Sequence, residues 1–293
     1  MSSNLDHIWF DDPAPAEAVR RCFVENGILI VRGLLAPERL EAWRISLRRL
    51  IVARVESLNG SVPDGADLDE ALHILTKLVD NGGMDIIRVV KDLPQFYQVM
   101  SDPKILRVVS ACLETDMIQA VHDVAQFRID PPDYYVRNFG WHQDYQYNVA
   151  SLESTIVWFP LTEITEDMGY LGVIPKSHDQ IVPVIHDDSR HKQGMGTTHS
   201  VFRLDLDENE LERRAIPVAG MKPGDVAFFH GLLLHRGGVN KGTRARWVVN
   251  PRFAKGLDPA VVGRGWLTMR DRTPDAFLRV HPDKVRRPGE SPG

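Results

Sequence analysis

Cysteine is nearly absent from this chain of 293 residues, and that absence excludes most at once: Cys22 and Cys112 are the only two. Two thiols supply neither a disulfide framework nor a four-thiolate zinc site, so a reducing, cytoplasmic setting is the expectation. Long apolar runs are missing too. No stretch of roughly 18 apolar residues exists to span a bilayer, and the opening MSSNLDHIWFDD has neither the basic start nor the apolar segment of a secretory signal. Charge of one sign is not in excess, since 35 basic residues face 40 acidic ones for a formal net charge of −5. That balance argues against a general nucleic-acid or membrane-surface role. The sequence also lacks a G-x-S-x-G elbow, a Gly-rich phosphate loop ending in Lys-Ser/Thr, and an H-E-x-x-H zinc helix. What remains is an ordinary globular composition, 43% hydrophobic and 26% charged, with eleven histidines to be ranked.

The first third reads as helical. PAEAVRRCFVENG opens on prolines and stops at Gly27, as a short glycine-capped helix does. The β-branched run ILIVRGLL predicts a strand. Leu40, Trp43, Leu47, Leu50, Ile51 and Val55 recur at spacings of three and four, marking one face of a long helix closed by Asn59-Gly60. Further helical pieces are expected across 66–80 and 94–113. Beyond residue 117 the pattern changes to short runs rich in Val, Ile, Phe and Trp, among them TIVWFPLT, YLGVIP, DVAFFHGLLLH and RARWVVNPRF, separated by Gly, Pro, Asn and Asp. Many short strands without intervening helices predict an antiparallel sandwich or barrel. The expectation is a single domain over 1–293: a mostly helical layer (1–116), a β core (117–255) with a lid-like loop at about 186–212, and a C-terminal extension (256–293) whose last residues, RRPGESPG, are loose.

The chemistry centres on Trp141-His142-Gln143-Asp144. In an extended segment, residues two apart share a face, so His142 and Asp144 aim an imidazole and a carboxylate the same way. About ninety residues later, His235 sits among apolar strand residues, and Arg246 follows on the next strand. A buried guanidinium is costly alone, so Arg246 requires an anionic partner. Two histidines and a carboxylate form the facial triad of non-haem Fe(II) oxygenases, with three positions left open. A nearby arginine then suits the carboxylate of a dicarboxylate co-substrate. The same ligands also serve a cupin-like metal-dependent hydrolase or isomerase, and the fold alone serves a non-catalytic small-molecule-binding barrel. His230, five residues before His235, is the alternative third ligand. Arg128 shares a strand face with Gln126 and is either a substrate contact or a rim salt bridge.

The order His142-x-Asp144, VWFPLTEITEDMGYLGVIPKSH, GDVAFFHGLLLHRGGVN and Arg246, eleven residues after His235, resembles the phytanoyl-CoA dioxygenase family of Fe(II)/2-oxoglutarate-dependent oxygenases over about residues 20–253. The resemblance implies a double-stranded β-helix, or cupin-like jelly roll, with helical cover. It implies that His142, Asp144 and His235 bind iron and that Arg246 binds the distal carboxylate of 2-oxoglutarate. Trp158, Gln126 and Arg88 fall at positions near the co-substrate. The implied reaction consumes O2, converts 2-oxoglutarate to succinate and CO2, and hydroxylates a C–H bond of a small-molecule metabolite. Asp144 keeps the carboxylate that related halogenases replace with a small residue. Three departures stand out: Met168-Gly169 in place of Asn-Gly, Gly237 where many members carry serine, and Asp130-Pro131-Pro132 in place of Lys-Pro-Pro. With no serine at Gly237, Thr155 is the expected second donor to the co-substrate.

Overall fold

The computed structural model describes residues 5–79, 83–132, 140–187, 201–266 and 274–290. Fourteen strands and nine α-helices lie within them. The N-terminal strand β1 (Trp9–Asp11) precedes α1 (Ala16–Asn26), which ends at Gly27 with φ of 73°, a left-handed conformation that glycine adopts without strain. The expected strand follows as β2 (Ile28–Arg32). Next comes the long α2 (Pro37–Ser57), which buries Leu40, Trp43, Leu47, Ile51 and Val55 and leaves Leu50 half-buried.

The helical layer continues as α3 (Leu68–Leu78), α4 (Met84–Val90), α5 (Pro94–Met100) and α6 (Pro103–Leu113). The helical stretch expected across 94–113 is therefore two helices. Asp102 stops the first and caps the second, accepting from the N–H groups of Lys104 and Ile105, and Pro103 opens the new helix where no donor is needed.

The β core comprises β3 (Ile118–Ala120), β4 (Gln126–Asp130), β5 (Ser154–Pro160), β6 (Leu171–Val173), β7 (Val184–His186), β8 (Phe202–Leu204), β9 (Ile216–Val218), β10 (Val226–His230), β11 (His235–Gly237), β12 (Arg246–Asn250) and β13 (Arg252–Lys255). One eight-stranded sheet runs β1-β2-β10-β5-β12-β4, with β13 pairing β3 and β5. Three-stranded sheets β11-β6-β9 and β14-β7-β8 complete the β layers, β14 (Val285–Arg286) returning from the C-terminal extension. This is a jelly-roll core under helical cover. Strand β5 is buried along its whole length because helices cover one face and the barrel interior the other. A continuous apolar cluster joins Phe23, Trp43, Leu75 and Phe96 of the helices to Phe127, Phe159 and Phe228 of the barrel.

The span 186–212, expected as a loop, is only partly one. Residues 202–204 pair with β7, and α7 (Glu208–Arg214) follows, capped by Asp207. Within that helix Glu212 accepts from Trp141 Nε1 at 2.9 Å and from Arg236 Nη2 at 2.6 Å, fixing it beside both (residues 188–200 lie outside the described residues). In the extension are α8 (Pro259–Gly263) and α9 (Pro274–Val280), the latter burying Phe277 in a second apolar cluster. Arg286, expected in a loose tail, instead belongs to β14 and pairs with Asp205 at 2.5 Å.

Candidate active site

The cavity opens between β4, β12 and β5 on one side and β11 with the His142 segment on the other. Its space, open solvent at the mouth included, is about 540 Å³, and its lining includes His142, Asp144, Trp158, His235, Arg246 and Arg252. His142 and His235 face each other as an isolated antiparallel bridge, each backbone N–H donating to the other's carbonyl at 3.1 Å. That bridge, not either side chain, sets the ring centroids 4.2 Å apart. Gln143 is extended and Asp144 begins a 3₁₀ turn, so the segment is not extended throughout. Because the turn starts only at Asp144, the two-residue parity still brings its carboxylate to the His142 side, with Oδ1 3.6 Å from His142 Nε2.

Gln143 points the opposite way and is fully buried. Its Nε2 donates to the carbonyls of Gln180 (2.9 Å) and Leu232 (2.7 Å), and its Oε1 accepts from Val182 N–H (2.9 Å). The intervening residue thus pins the pair that flanks it.

The donor set fits a divalent iron. One ligand atom from each of His142, Asp144 and His235 lies within 4.8 Å of the others, and this is the metal-competent cluster found among the described residues. His142 Nδ1 donates to the Gly140 carbonyl at 2.8 Å and His235 Nδ1 to the Leu233 carbonyl at 2.9 Å. A carbonyl only accepts, so each Nδ1 carries the proton and each Nε2 presents a lone pair. Burial, with the His142 imidazole beside it, pushes His235 down to about 3, so it is neutral at ordinary pH. Burial also pushes the Asp144 carboxyl up, but the Arg252 guanidinium and the neighbouring imidazoles outweigh it and hold Asp144 well below the usual carboxylate range. The ligands are therefore two imidazoles and one carboxylate, nitrogen and oxygen donors that suit Fe(II).

Arg246 lies in the cavity wall, 4% exposed, and its anionic partner within the chain is Asp130. Nε and Nη2 reach Asp130 Oδ2 at 3.3 and 3.0 Å, while Nη1 donates to the Met168 carbonyl at 3.1 Å and to that of Gly169. Gly169, at φ of 72°, packs so closely on Gly238 and Val239 that a Cβ would sit 2.5 Å from the Val239 carbonyl. This close approach turns the Met168 and Gly169 carbonyls toward the arginine. Burial raises the Asp130 carboxyl, but Arg128 and Arg246 together hold it below its ordinary value.

Of the other expected residues, Trp158 and Gln126 line the cavity. Arg88 does not: it is exposed on α4, whose buried face carries Ile86 and Val90 instead. Thr155 also fails as a second donor. On β5 it is three residues from Trp158, hence on the opposite face, where its hydroxyl is buried without a partner among the described residues. His230 packs against Phe23 and His178, and its Nδ1 accepts from Leu232 N–H, away from the triad. His178 donates Nε2 to the Val24 carbonyl and is structural. His191 and His199 lie outside the described residues.

Two polar cavity residues went unnoticed in the sequence. Arg252 grips Asp144, and Asn250 lines the cavity with its buried Oδ1 lacking a partner among the described residues. Alternation was the signal available. Arg246, Val248 and Asn250 alternate along β12 into the cavity, and Arg252 continues the same parity beyond Pro251.

Fold and site together define a jelly-roll protein of the kind that seats a metal between two histidines and a carboxylate beside a buried arginine. The chain belongs to the phytanoyl-CoA dioxygenase (PhyH) family, whose model matches residues 23–248. It is an Fe(II)/2-oxoglutarate-dependent oxygenase, which sets aside the hydrolase, isomerase and binding-barrel alternatives. The peroxisomal phytanoyl-CoA dioxygenase of Bos taurus is 25% identical over 241 residues, covering 80% of this chain and 67% of that protein. The human protein of the same name is 24% identical over 244 residues, with the same coverage of each. Among solved structures, the epimerase SnoN in complex with Fe3+, alpha ketoglutarate and nogalamycin RO superposes with a TM-score of 0.57 at 14% identity, covering 83% of this chain and 85% of that one. EvdO2 from Micromonospora carbonacea var. aurantiaca gives 0.52 at 19% identity, covering 82% and 92%. At those identities the structural likeness speaks for the fold.

Proposed function

We propose that His142, Asp144 and His235 hold Fe(II), that 2-oxoglutarate lies along the cavity toward Arg246, and that the protein hydroxylates a C–H bond of a small-molecule metabolite. The observation that carries this reading is the convergence of the three ligand atoms within 4.8 Å on a cavity that Arg246 also lines. Bound iron, with O2 and 2-oxoglutarate, supplies the oxidising chemistry and releases succinate and CO2. The chain's own part is geometric and electrostatic. The Gly140 and Leu233 carbonyls fix both imidazole tautomers, Arg252 fixes the carboxylate, and Trp158 and Gln126 shape the wall along which the co-substrate lies.

The substrate is read as small or mid-sized because a cavity of about 540 Å³, its open mouth included, is lined by mixed polar and aromatic groups. SnoN, solved with nogalamycin RO, offers a parallel for such a ligand in this fold. The helical layer and barrel are read as one domain, supported by the apolar cluster they share. A cytoplasmic setting agrees with two free, buried cysteines, although the mammalian relatives are named peroxisomal. Among the described residues no helix is long and apolar enough to cross a membrane.

Anaerobic titration with Fe(II) and 2-oxoglutarate, followed by O2, tests the reading. A visible charge-transfer band and succinate formation are expected. Absence of both, even in uncoupled turnover, overturns it.

A further inference from the structure

Apart from the two histidines, the charged side chains that line the cavity are engaged in ion pairs. Arg128 and Arg246 both meet Asp130, and Arg252 meets Asp144. One buried polar atom of the lining is not engaged. Asn250 is 7% exposed, and its Oδ1 has no hydrogen-bond partner among the described residues. A buried acceptor without a donor is a net cost to a fold, and a ligand that brings the donor offsets it.

The position of that amide points to the ligand. In the β4–β12 register Arg246 lies opposite Asp130, Val248 opposite Arg128, and Asn250 opposite Gln126, and all six line the cavity. Directly opposed residues of an antiparallel pair are side-chain neighbours, so the wall has a charged end at Arg246 and an amide end at Asn250 and Gln126. The four-residue step from Arg246 to Asn250 covers about 13 Å of strand. The amide end is also the one beside the triad's carboxylate. Arg252, which grips Asp144, comes two residues after Asn250, and its Nη1 donates to the Asn250 carbonyl at 3.4 Å. A co-substrate anchored at Arg246 therefore leaves the amide end to a second ligand. The charges at that end are paired with each other, and two carboxamides offer both donors and acceptors. The group they fit is uncharged and carries an N–H beside an acceptor oxygen, as an amide does.

We propose that Asn250 and Gln126 form the substrate seat and that the substrate is an amide-bearing metabolite, with Asn250 Oδ1 accepting its N–H on the triad's side of the wall. The proposal rests on the reading of the triad as the iron site and of Arg246 as the co-substrate anchor, and it makes Asn250 a determinant of substrate specificity.

The test is ligand-observed NMR on the protein loaded with Mn(II) and 2-oxoglutarate, without turnover, because the paramagnetic ion speeds the proton relaxation of whatever binds beside it. The probes are 2-pyrrolidinone, a cyclic amide, and cyclopentanone, the same ring with CH2 in place of N–H. The amide is expected to bind about 3- to 10-fold more tightly, the worth of one hydrogen bond. Asn250→Leu should bring it down to the level of the ketone. That substitution removes no side-chain hydrogen bond made among the described residues, so the unfolding midpoint should hold or rise. Asn250→Ala repeats the comparison without added volume should the leucine variant fold poorly. Equal affinity for the two probes in the wild type overturns the proposal, as does an unchanged preference in both variants. A midpoint that falls along with amide binding marks Asn250 as structural and overturns it too. If Asn250→Leu weakens 2-oxoglutarate, titrated by calorimetry, as far as it weakens the amide, the wall serves the co-substrate throughout and the substrate seat is refuted while the anchor reading stands. If the metal-loaded wild type takes up no 2-oxoglutarate, the anchor reading itself falls.

Discussion

Arg252 meets Asp144 edge on, with Nε 3.1 Å from Oδ2 and Nη2 3.0 Å from Oδ1. Both side chains are more than nine-tenths buried, and Nη1 is fixed by the carbonyls of Val124 and Asn250. The candidate metal carboxylate is thus oriented from behind by a guanidinium itself held on the backbone, so its direction into the cavity is set before any ion binds.

Removing Arg252 leaves that carboxylate buried without its guanidinium partner. Arg252→Ala is expected to cost about 3–5 kcal/mol of stability, the usual penalty for breaking a buried pair from one side. Urea denaturation of the metal-free protein reads the loss directly. A change under 1 kcal/mol would mean that water replaces the guanidinium at no cost.

Asp144→Asn keeps the volume of the side chain and removes its charge. Metal affinity, measured by Ni(II) titration, is expected to fall by more than the 10- to 100-fold typical of losing an outer-shell partner. Succinate production should vanish with it. Retained affinity would remove Asp144 from the ligand set.

Gln143 predicts a different phenotype. Gln143→Leu loses three hydrogen bonds and leaves the Gln180 and Leu232 carbonyls and the Val182 N–H without that partner. A loss of about 1–3 kcal/mol is expected for each such group left unsatisfied. Metal affinity should weaken too, because the segment between His142 and Asp144 is no longer pinned. Thermal unfolding and Ni(II) titration of one preparation separate the two effects, and intact metal binding would confine Gln143 to a stabilising role.

The metal-free protein should weaken in mild acid. His235 and the partly buried His230 are each pushed from the ordinary 6.5 to about 3, both chiefly by burial. Between those values the unfolded chain binds more protons than the folded one, so stability rises with pH across the window and is lost as pH falls below about 6.5. Asp130 and Asp144, held below the ordinary carboxylate value, contribute only at lower pH. Unfolding free energies from urea titration at pH 7.5 and pH 5 should differ by about 1–2 kcal/mol for each histidine. His235→Leu should flatten the slope, and a slope unchanged in that variant would refute this origin.

Much of the site was legible because its two halves follow short-range rules. The two-residue parity brought His142 and Asp144 to one face, and the buried charge of Arg246 demanded an anion. That anion proved to be Asp130, visible beforehand only as a departure from a lysine. The pairing could not be read locally because residues 116 apart become neighbours only through the β4–β12 register. Arg88 failed for the converse reason, since a position matched by family resemblance gave no account of which face of its helix is buried.

The sequence by itself determined the periodicities, and with them the helical layer, the strands and the triad's residue types, because helix and strand faces follow from spacing along one segment. The tertiary structure alone decided which charges meet. A carboxylate on β4 shared by two guanidiniums, and a metal carboxylate gripped by Arg252, depend on strand register and barrel closure. Those are set by burial across the whole core, which no local spacing encodes.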